Sequence, residues 1–220
     1  MVKPRSILLF LLILSVQTGL RAQGGYNPDD PRPFNGGLIL GLNFSQVDGD
    51  SYYGYHKVGI NTGGVVYVHF TPVWGASMEL LYTRKGSQAE TVTESQALGE
   101  YVSKYFMGLN YVEVPVTLHY YYHSFDMEAG LSYARLISST EYTTIDPPVI
   151  IDPIANRFNT SDLDYIFGLS RKLYKNLYIN GRFQYSITSI RPWERIPFGY
   201  SYGQSGQYNN LVSFRFIYMF

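Results

Sequence analysis

Gly199-Tyr200-Ser201-Tyr202-Gly203 fits the G-x-S-x-G spacing of a nucleophile elbow. That chemistry needs a strand before the serine and a helix after it, so that Oγ stands on a tight, exposed turn. The flanks of Ser201 are instead Gly, Tyr, Ser and Pro, which describe an aromatic loop. His119 and His123 stand four residues apart, a spacing that places two metal ligands on one face of a helix. Their surroundings alternate with the period of a strand, so the pair straddles a strand end and a turn, and His56 and His69 are too isolated to add a third ligand. An interfacial or lumen histidine is the simpler reading. Asp48 and Asp50 flank Gly49 as in a calcium loop, but no glutamate follows at the required spacing. The chain has no cysteine, which removes disulfides, thiol nucleophiles and thiolate metal sites. No catalytic residue, metal or cofactor is therefore expected.

The remaining candidates are six charges: Glu79, Glu113 and Glu128, Asp164, Arg182 and Arg215. Their meaning depends on the elements that carry them. Large apolar residues recur at every second position in eight segments, beginning with Leu38, Leu40, Leu42 and Phe44 and ending with Val212, Phe214, Phe216, Tyr218 and Phe220. A period of two is the mark of strands with one apolar face. Short links near 71–75, 122–124 and 172–176 alternate with long ones near 46–56, 84–109, 137–161 and 189–208. An even number of strands with short turns on one side and long loops on the other is the anatomy of an outer-membrane barrel with both termini in the periplasm. The fold expected is all-β: an eight-stranded antiparallel transmembrane barrel.

Composition separates this barrel from a soluble one. Only 15% of residues are charged while 17% are aromatic, with 22 Tyr and 13 Phe, so the charged coat of a soluble sheet is missing. The polar face is mostly Gly, Asn, Ser, Thr and Gln with roughly one charge per strand, and no lysine is read as mid-strand. Such short side chains suit the cramped lumen of a small barrel. Glu79, Glu128, Arg182 and Arg215 lie a few residues from the periplasmic end, so carboxylates on one wall can meet guanidinium groups on the other. A plugged lumen is expected. Tyr and Phe at segment ends, among them Phe70, Trp74, Tyr120 and Phe125 at one rim and Tyr82 and Tyr133 at the other, read as interfacial girdles. Pro115 inside the fourth segment removes a ladder donor and predicts a bulge or local break.

Residues 1–22 carry Lys3 and Arg5 before an apolar run from Ile7 to Val16 and then Ala22, the pattern of a secretory signal peptide. Ten helical residues cover roughly 15 Å against a hydrocarbon core of roughly 30 Å, so the run is no anchor. Residues 23–35 read as a periplasmic lead-in and 36–220 as the barrel. Of 17 basic and 17 acidic residues, loss of Lys3, Arg5 and Arg21 leaves 14 against 17, a net of −3, which argues against nucleic-acid binding. External loops rich in Tyr52, Tyr53, Tyr55, Tyr101, Tyr105, Phe106, Trp193, Phe198, Tyr200, Tyr202 and Tyr208 suit a binding surface or contact with lipopolysaccharide.

Gly41-Leu42-Asn43-Phe44-Ser45, Glu79-Leu80-Leu81-Tyr82-Thr83-Arg84-Lys85-Gly86-Ser87, Tyr111-Val112-Glu113-Val114-Pro115-Val116 and Glu128-Ala129-Gly130-Leu131-Ser132-Tyr133 resemble the PorT-like outer-membrane barrels of Bacteroidota. The likeness covers roughly residues 36–136. It implies an outer-membrane location and, through the eponymous member, a possible part in type IX secretion, with no catalytic residues to carry over. Alternating Phe216, Tyr218 and Phe220 resemble the C-terminal signal read by the barrel-assembly machinery. The expected role is structural, or a surface or secretion-accessory interaction with an envelope protein, lipid or lipopolysaccharide. Small barrels that modify lipids with a His and Ser pair near the rim keep a lipid- or lipopolysaccharide-modifying enzyme as one alternative, and a narrow channel is the other.

Overall fold

A computed structural model describes residues 34–95, 99–144, 151–197 and 206–220. The expected leader and most of the expected lead-in lie outside these residues, as does the Gly199–Gly203 motif. Eight strands form a closed barrel in chain order: β1 (Phe34–Asp48), β2 (Lys57–His69), β3 (Trp74–Ser95), β4 (Gly99–Tyr122), β5 (Phe125–Thr143), β6 (Ser161–Tyr174), β7 (Leu177–Ser186) and β8 (Tyr208–Met219). Every neighbouring pair is antiparallel, and β1 closes the ring on β8 through pairs from Gly37↔Met219 to Asp48↔Tyr208. Closure leaves no unpaired edge, which a bilayer core would not tolerate.

The period-two pattern becomes two surfaces. Leu38, Leu40, Leu42, Val58, Ile60, Met78, Leu80, Val116, Leu118, Leu131, Phe167 and Phe214 are exposed on the outside. Arg84 on β3 and Arg135 on β5 are the first exterior charges toward the extracellular end, one alternate position beyond Tyr82 and Tyr133. Arg171 on β6 marks the other edge. Between these limits the outer face carries no ionised side chain, in keeping with a cost of about 2–4 kcal/mol for Lys or Arg at the bilayer midplane. Phe216 and Tyr218 share this exterior, and the Phe220 amide donates to the Gly36 carbonyl at 2.9 Å.

The structure corrects three expectations. The stretch 84–109 is not a loop: β3 and β4 pair as far as Ser95↔Gly99, forming a hairpin that rises beyond the lipid-facing band. Tyr105 and Phe106 therefore belong to a strand; Tyr105 is buried and stacks on Tyr52, while Phe106 stacks on Tyr142. Lys85, read as a loop residue, sits inside β3 with its side chain sealed in the lumen. Phe34 and Asn35 open β1 instead of ending the lead-in. At Pro115 the β3–β4 ladder skips the two Cα pairs opposite Glu79 and Leu80 and resumes in the same register, so the missing donor makes the local break expected there, without a bulge. The bulge of this region falls on β5, where the register shifts between Asn110 and Tyr111 and passes over Ile137.

Candidate functional site: the filled lumen

Inward-facing positions are odd on β1 to β4 and β8 and even on β6, β7 and the part of β5 before its bulge at Ile137, beyond which the odd Glu141 faces in. They fill the barrel with two apolar and two charged clusters. Toward the periplasm Ile39, Val65, Tyr67, Leu81, Tyr121, Tyr178, Ile217 and Met219 pack together. Toward the outside Val47, Tyr105, Met107, Leu109, Tyr111, Ala134, Phe158 and Ile190 do the same. Neither cluster was anticipated, because its members occupy the strand face that otherwise carries small polar residues.

The first charged cluster unites four of the six sequence candidates. Register lines up Glu128, Gly168 and Arg182 across β5, β6 and β7. A Cβ on Gly168 would stand 2.2 Å from Glu128 Oε1, so only glycine lets the carboxylate reach across β6. Arg182 donates through Nε and Nη2 to the two Glu128 oxygens at 2.8 and 3.0 Å, and through Nη1 and Nη2 to those of Glu79 at 2.9 and 2.8 Å. Arg215 adds Nη1 to Glu79 Oε2 at 2.8 Å and lies 3.6 Å from Glu128. Its Nε donates to Asn180 Oδ1, whose amide in turn donates to Glu128 and Ser170. Two carboxylates and two guanidinium groups make a formally neutral cluster whose members are all buried. Forked, charge-assisted bonds of this kind offset the desolvation of buried ions.

Glu113 and Asp164 do not join it. They surround Lys85, whose Nζ lies 2.6 Å from Asp164 Oδ2, 3.6 Å from Glu113 Oε2 and 3.9 Å from Asp162 Oδ2. Gln184 donates to both Glu113 and Asp164, and Ser132 to Glu113 at 2.5 Å. Ser186 and Asn209 donate to Asp162. Lys85 and Asp162 were missed from sequence; the only signal available was the odd parity that Lys85 shares with Glu79. Nearer the outside, Arg191 pairs with Glu141 and covers the Phe158 ring at 3.7 Å.

His119 and His123 part company. His123 sits in the β4–β5 turn with φ of 56°, whereas the His119 ring is wholly buried. His119 Nδ1 is 2.8 Å from Asp126 Oδ1, and Nε2 is 2.8 Å from Ser77 Oγ and 2.9 Å from Thr117 Oγ1. A hydroxyl, an imidazole and a carboxylate in this order form the relay of acyl-transfer enzymes. Here Nε2 is shared by two hydroxyls, the Tyr67 ring lies over the imidazole with centroids 4.9 Å apart, and Ser77 is buried. The relay ties β3, β4 and β5 together near their periplasmic ends. Among the described residues no group of three His, Asp or Glu side chains is arranged to hold a metal ion.

The sequence profile of the outer membrane protein beta-barrel domain matches residues 21–191. The chain belongs to that family. The match embraces Glu79, Lys85, Glu113, Glu128, Asp164 and Arg182 and stops before β8, which supplies Arg215. This family member is an outer-membrane protein. No curated protein matches it. Among solved structures it is similar to the attachment invasion locus protein Ail of Yersinia pestis, at 12% identity and a TM-score of 0.42 over 86% of this chain and 100% of that one. It is also similar to Neisserial surface protein A, at 9% identity and a TM-score of 0.40 over 86% and 98%. OprG from Pseudomonas aeruginosa aligns at 12% identity and a TM-score of 0.37 over 85% and 94%.

Of the external aromatic residues, Tyr53 and Trp193 are well exposed, while Phe198, Tyr200, Tyr202 and the Tyr101 side chain lie outside the described part of the chain. Below them Asp50 is buried just past β1, where its Oδ1 accepts from the Tyr52 amide at 2.9 Å. Burial pushes its carboxyl up to about 6, with Asp48 and Glu141 adding to the rise against hydrogen bonds from Ser87 and Tyr52. A folded value above the unfolded 3.8 means that this group costs nothing when protonated in both states and opposes folding once ionised. Stability is therefore expected to fall by about 3 kcal/mol in all as pH rises from about 3 to about 7, with about 2 kcal/mol of the loss between pH 4 and 6, and to stay level above that. Asp50→Asn should remove this slope, which urea unfolding of the barrel in detergent between pH 4 and 8 will read.

Proposed function

We propose that the protein is a PorT-like barrel whose lumen is sealed by its own side chains, and that it acts through its surfaces: as a structural element or as a surface or secretion-accessory partner of another envelope protein. The observation that carries this reading is the cross-lumen cluster of Glu79, Glu128, Arg182 and Arg215, stacked between apolar layers with every member buried. Moving an ion past it would require breaking charge-assisted bonds from four strands at once. Bacteroidota origin and a part in type IX secretion rest on the sequence resemblance alone. Export through a leader cleaved after Ala22, contact with lipopolysaccharide and recognition of Phe216, Tyr218 and Phe220 by the barrel-assembly machinery belong to the same reading, and nucleic acid does not.

In planar bilayers the wild-type barrel is expected to give no stepwise conductance, whereas a paired Glu79→Ala and Arg182→Ala variant, neutral in sum but lacking both cross-lumen side chains, should show small, flickering steps. Discrete openings of the wild type would make it a narrow channel. The Ser77–His119–Asp126 relay favours a lipid-active enzyme as second reading. Turnover of radiolabelled phospholipid or lipopolysaccharide that is lost in Ser77→Ala would establish it.

A further inference from the structure

The periplasmic mouth holds a cavity of about 530 Å³ between the β4–β5 and β6–β7 turns. Its walls are Tyr121 and Tyr178, and its inner end is formed by Ser170 and Asp126, a carboxylate whose Oδ1 is engaged by His119 while the residue still lines the opening. The rim is cationic. Arg171, Lys172 and Lys175 fall within five residues, and the β6–β7 register shifts between Lys172 and Tyr174. An irregularity of this kind at a barrel rim re-aims side chains. Each cation stands near an aromatic ring: Arg171 at 5.6 Å from the Phe125 centroid, Lys172 at 5.8 Å from Tyr178 and Lys175 at 5.3 Å from Tyr174. Among the described residues, the charged side chains exposed at this end are these three, joined by the titratable His123.

We infer that this mouth holds the headgroup of a glycerophospholipid from the periplasmic leaflet. Its phosphate would meet the Arg171, Lys172 and Lys175 rim, and a headgroup ammonium or hydroxyl would donate toward Asp126. Three features select this occupant. The rim supplies positive charge for a phosphate. The Asp126 carboxylate rewards a donor and repels a second anion, so a polyanion or an acidic peptide fits the inner end poorly. The outer flank of the cavity, with Phe125, Leu173 and Tyr174 all exposed, is continuous with the lipid-facing wall, where acyl chains already lie.

The test is native mass spectrometry of the full chain released from mixed micelles containing phosphatidylethanolamine, phosphatidylglycerol or phosphatidylcholine. One retained lipid per barrel is expected, with the two donor-bearing headgroups held about tenfold more tightly than choline, equivalent to roughly 1.4 kcal/mol. A triple Arg171→Gln, Lys172→Gln, Lys175→Gln variant, altered only at the exposed rim, should lose the adduct while keeping its unboiled gel mobility. Asp126→Asn should bring choline up to parity with ethanolamine. Equal retention of all three lipids by the wild type, or an adduct unchanged in the triple variant, would overturn the site. Displacement of the lipid by millimolar inorganic phosphate would show a site for soluble anions instead, and tighter capture of a synthetic acidic peptide than of either lipid would show a protein-docking surface.

Discussion

Arg182→Ala is expected to lower the unfolding free energy of the barrel by about 4 kcal/mol, within the range seen when one partner of a buried ion pair is deleted. The size of the effect follows from what the guanidinium does. It makes four bonds to two carboxylates on β3 and β5, and removal leaves Glu79 and Glu128 sharing Arg215, which approaches Glu128 only to 3.6 Å. One negative charge is then uncompensated in a compartment that water does not reach. Arg215→Ala should cost less, because Arg182 would still bridge both carboxylates. Adding Glu128→Gln to Arg182→Ala should recover at least half of the loss by leaving a neutral Glu79–Arg215 pair. Urea titration of the refolded barrel in detergent, followed by the shift between boiled and unboiled gel mobility, measures each step. An unaltered midpoint for Arg182→Ala, or additive losses in the double variant, would mean that the cluster does not act as a unit.

Lys85→Met is expected to destabilise the barrel nearly as much, by removing the cation from a cluster already in surplus of negative charge. Around Lys85 the charges do not balance: Glu113, Asp162 and Asp164 face one ammonium, and among the described residues no other cation lies within 4 Å of them. Deleting it leaves three carboxylates whose mutual repulsion is relieved only by amide and hydroxyl donors from Gln184, Ser132, Ser186 and Asn209. A loss of about 3–4 kcal/mol is anticipated. Asp162→Asn provides the control. Asn keeps an oxygen that can accept from Ser186 and Asn209 while subtracting one surplus charge, so this variant should be neutral or slightly more stable. If Lys85→Met and Asp162→Asn shift the urea midpoint in the same direction by similar amounts, the imbalance of charge is not what makes Lys85 important.

The two clusters also show how far sequence alone reaches. Glu79, Glu128, Arg182 and Arg215 can be found because each interrupts an apolar alternation near a short turn, so parity gives the face and distance from the turn gives the depth. Lys85 shares that parity but lies in a stretch where Thr, Ser, Glu and Gly dilute the apolar pattern, and a hairpin that leaves the bilayer no longer needs a greasy outer face. The strand continues there on backbone pairing, the Glu90–Lys104 cross-strand pair and the packing of Ala89 on the outer apolar cluster. Asp162 is hidden for a related reason: it sits at the second residue of β6, where the alternation has barely begun. His119 and Asp126 are seven residues apart across a turn, and nothing in that spacing announces a hydrogen bond, since β4–β5 pairing places Glu128, not Asp126, opposite His119.

Eight strands, an outer-membrane barrel, the side of each strand that meets lipid and the end at which the turns are short were all written in the order of residues, because bilayer and lumen impose opposite polarities and a pleat exposes them alternately. Lateral neighbourhood was not. Which carboxylate faces which guanidinium, the gap at Gly168 that lets Glu128 reach Arg182, and the sorting of six expected charges into one balanced and one unbalanced cluster depend on register and on closure of β8 against β1. Those are properties of pairs of strands distant in sequence, and they exist only once the ring is shut.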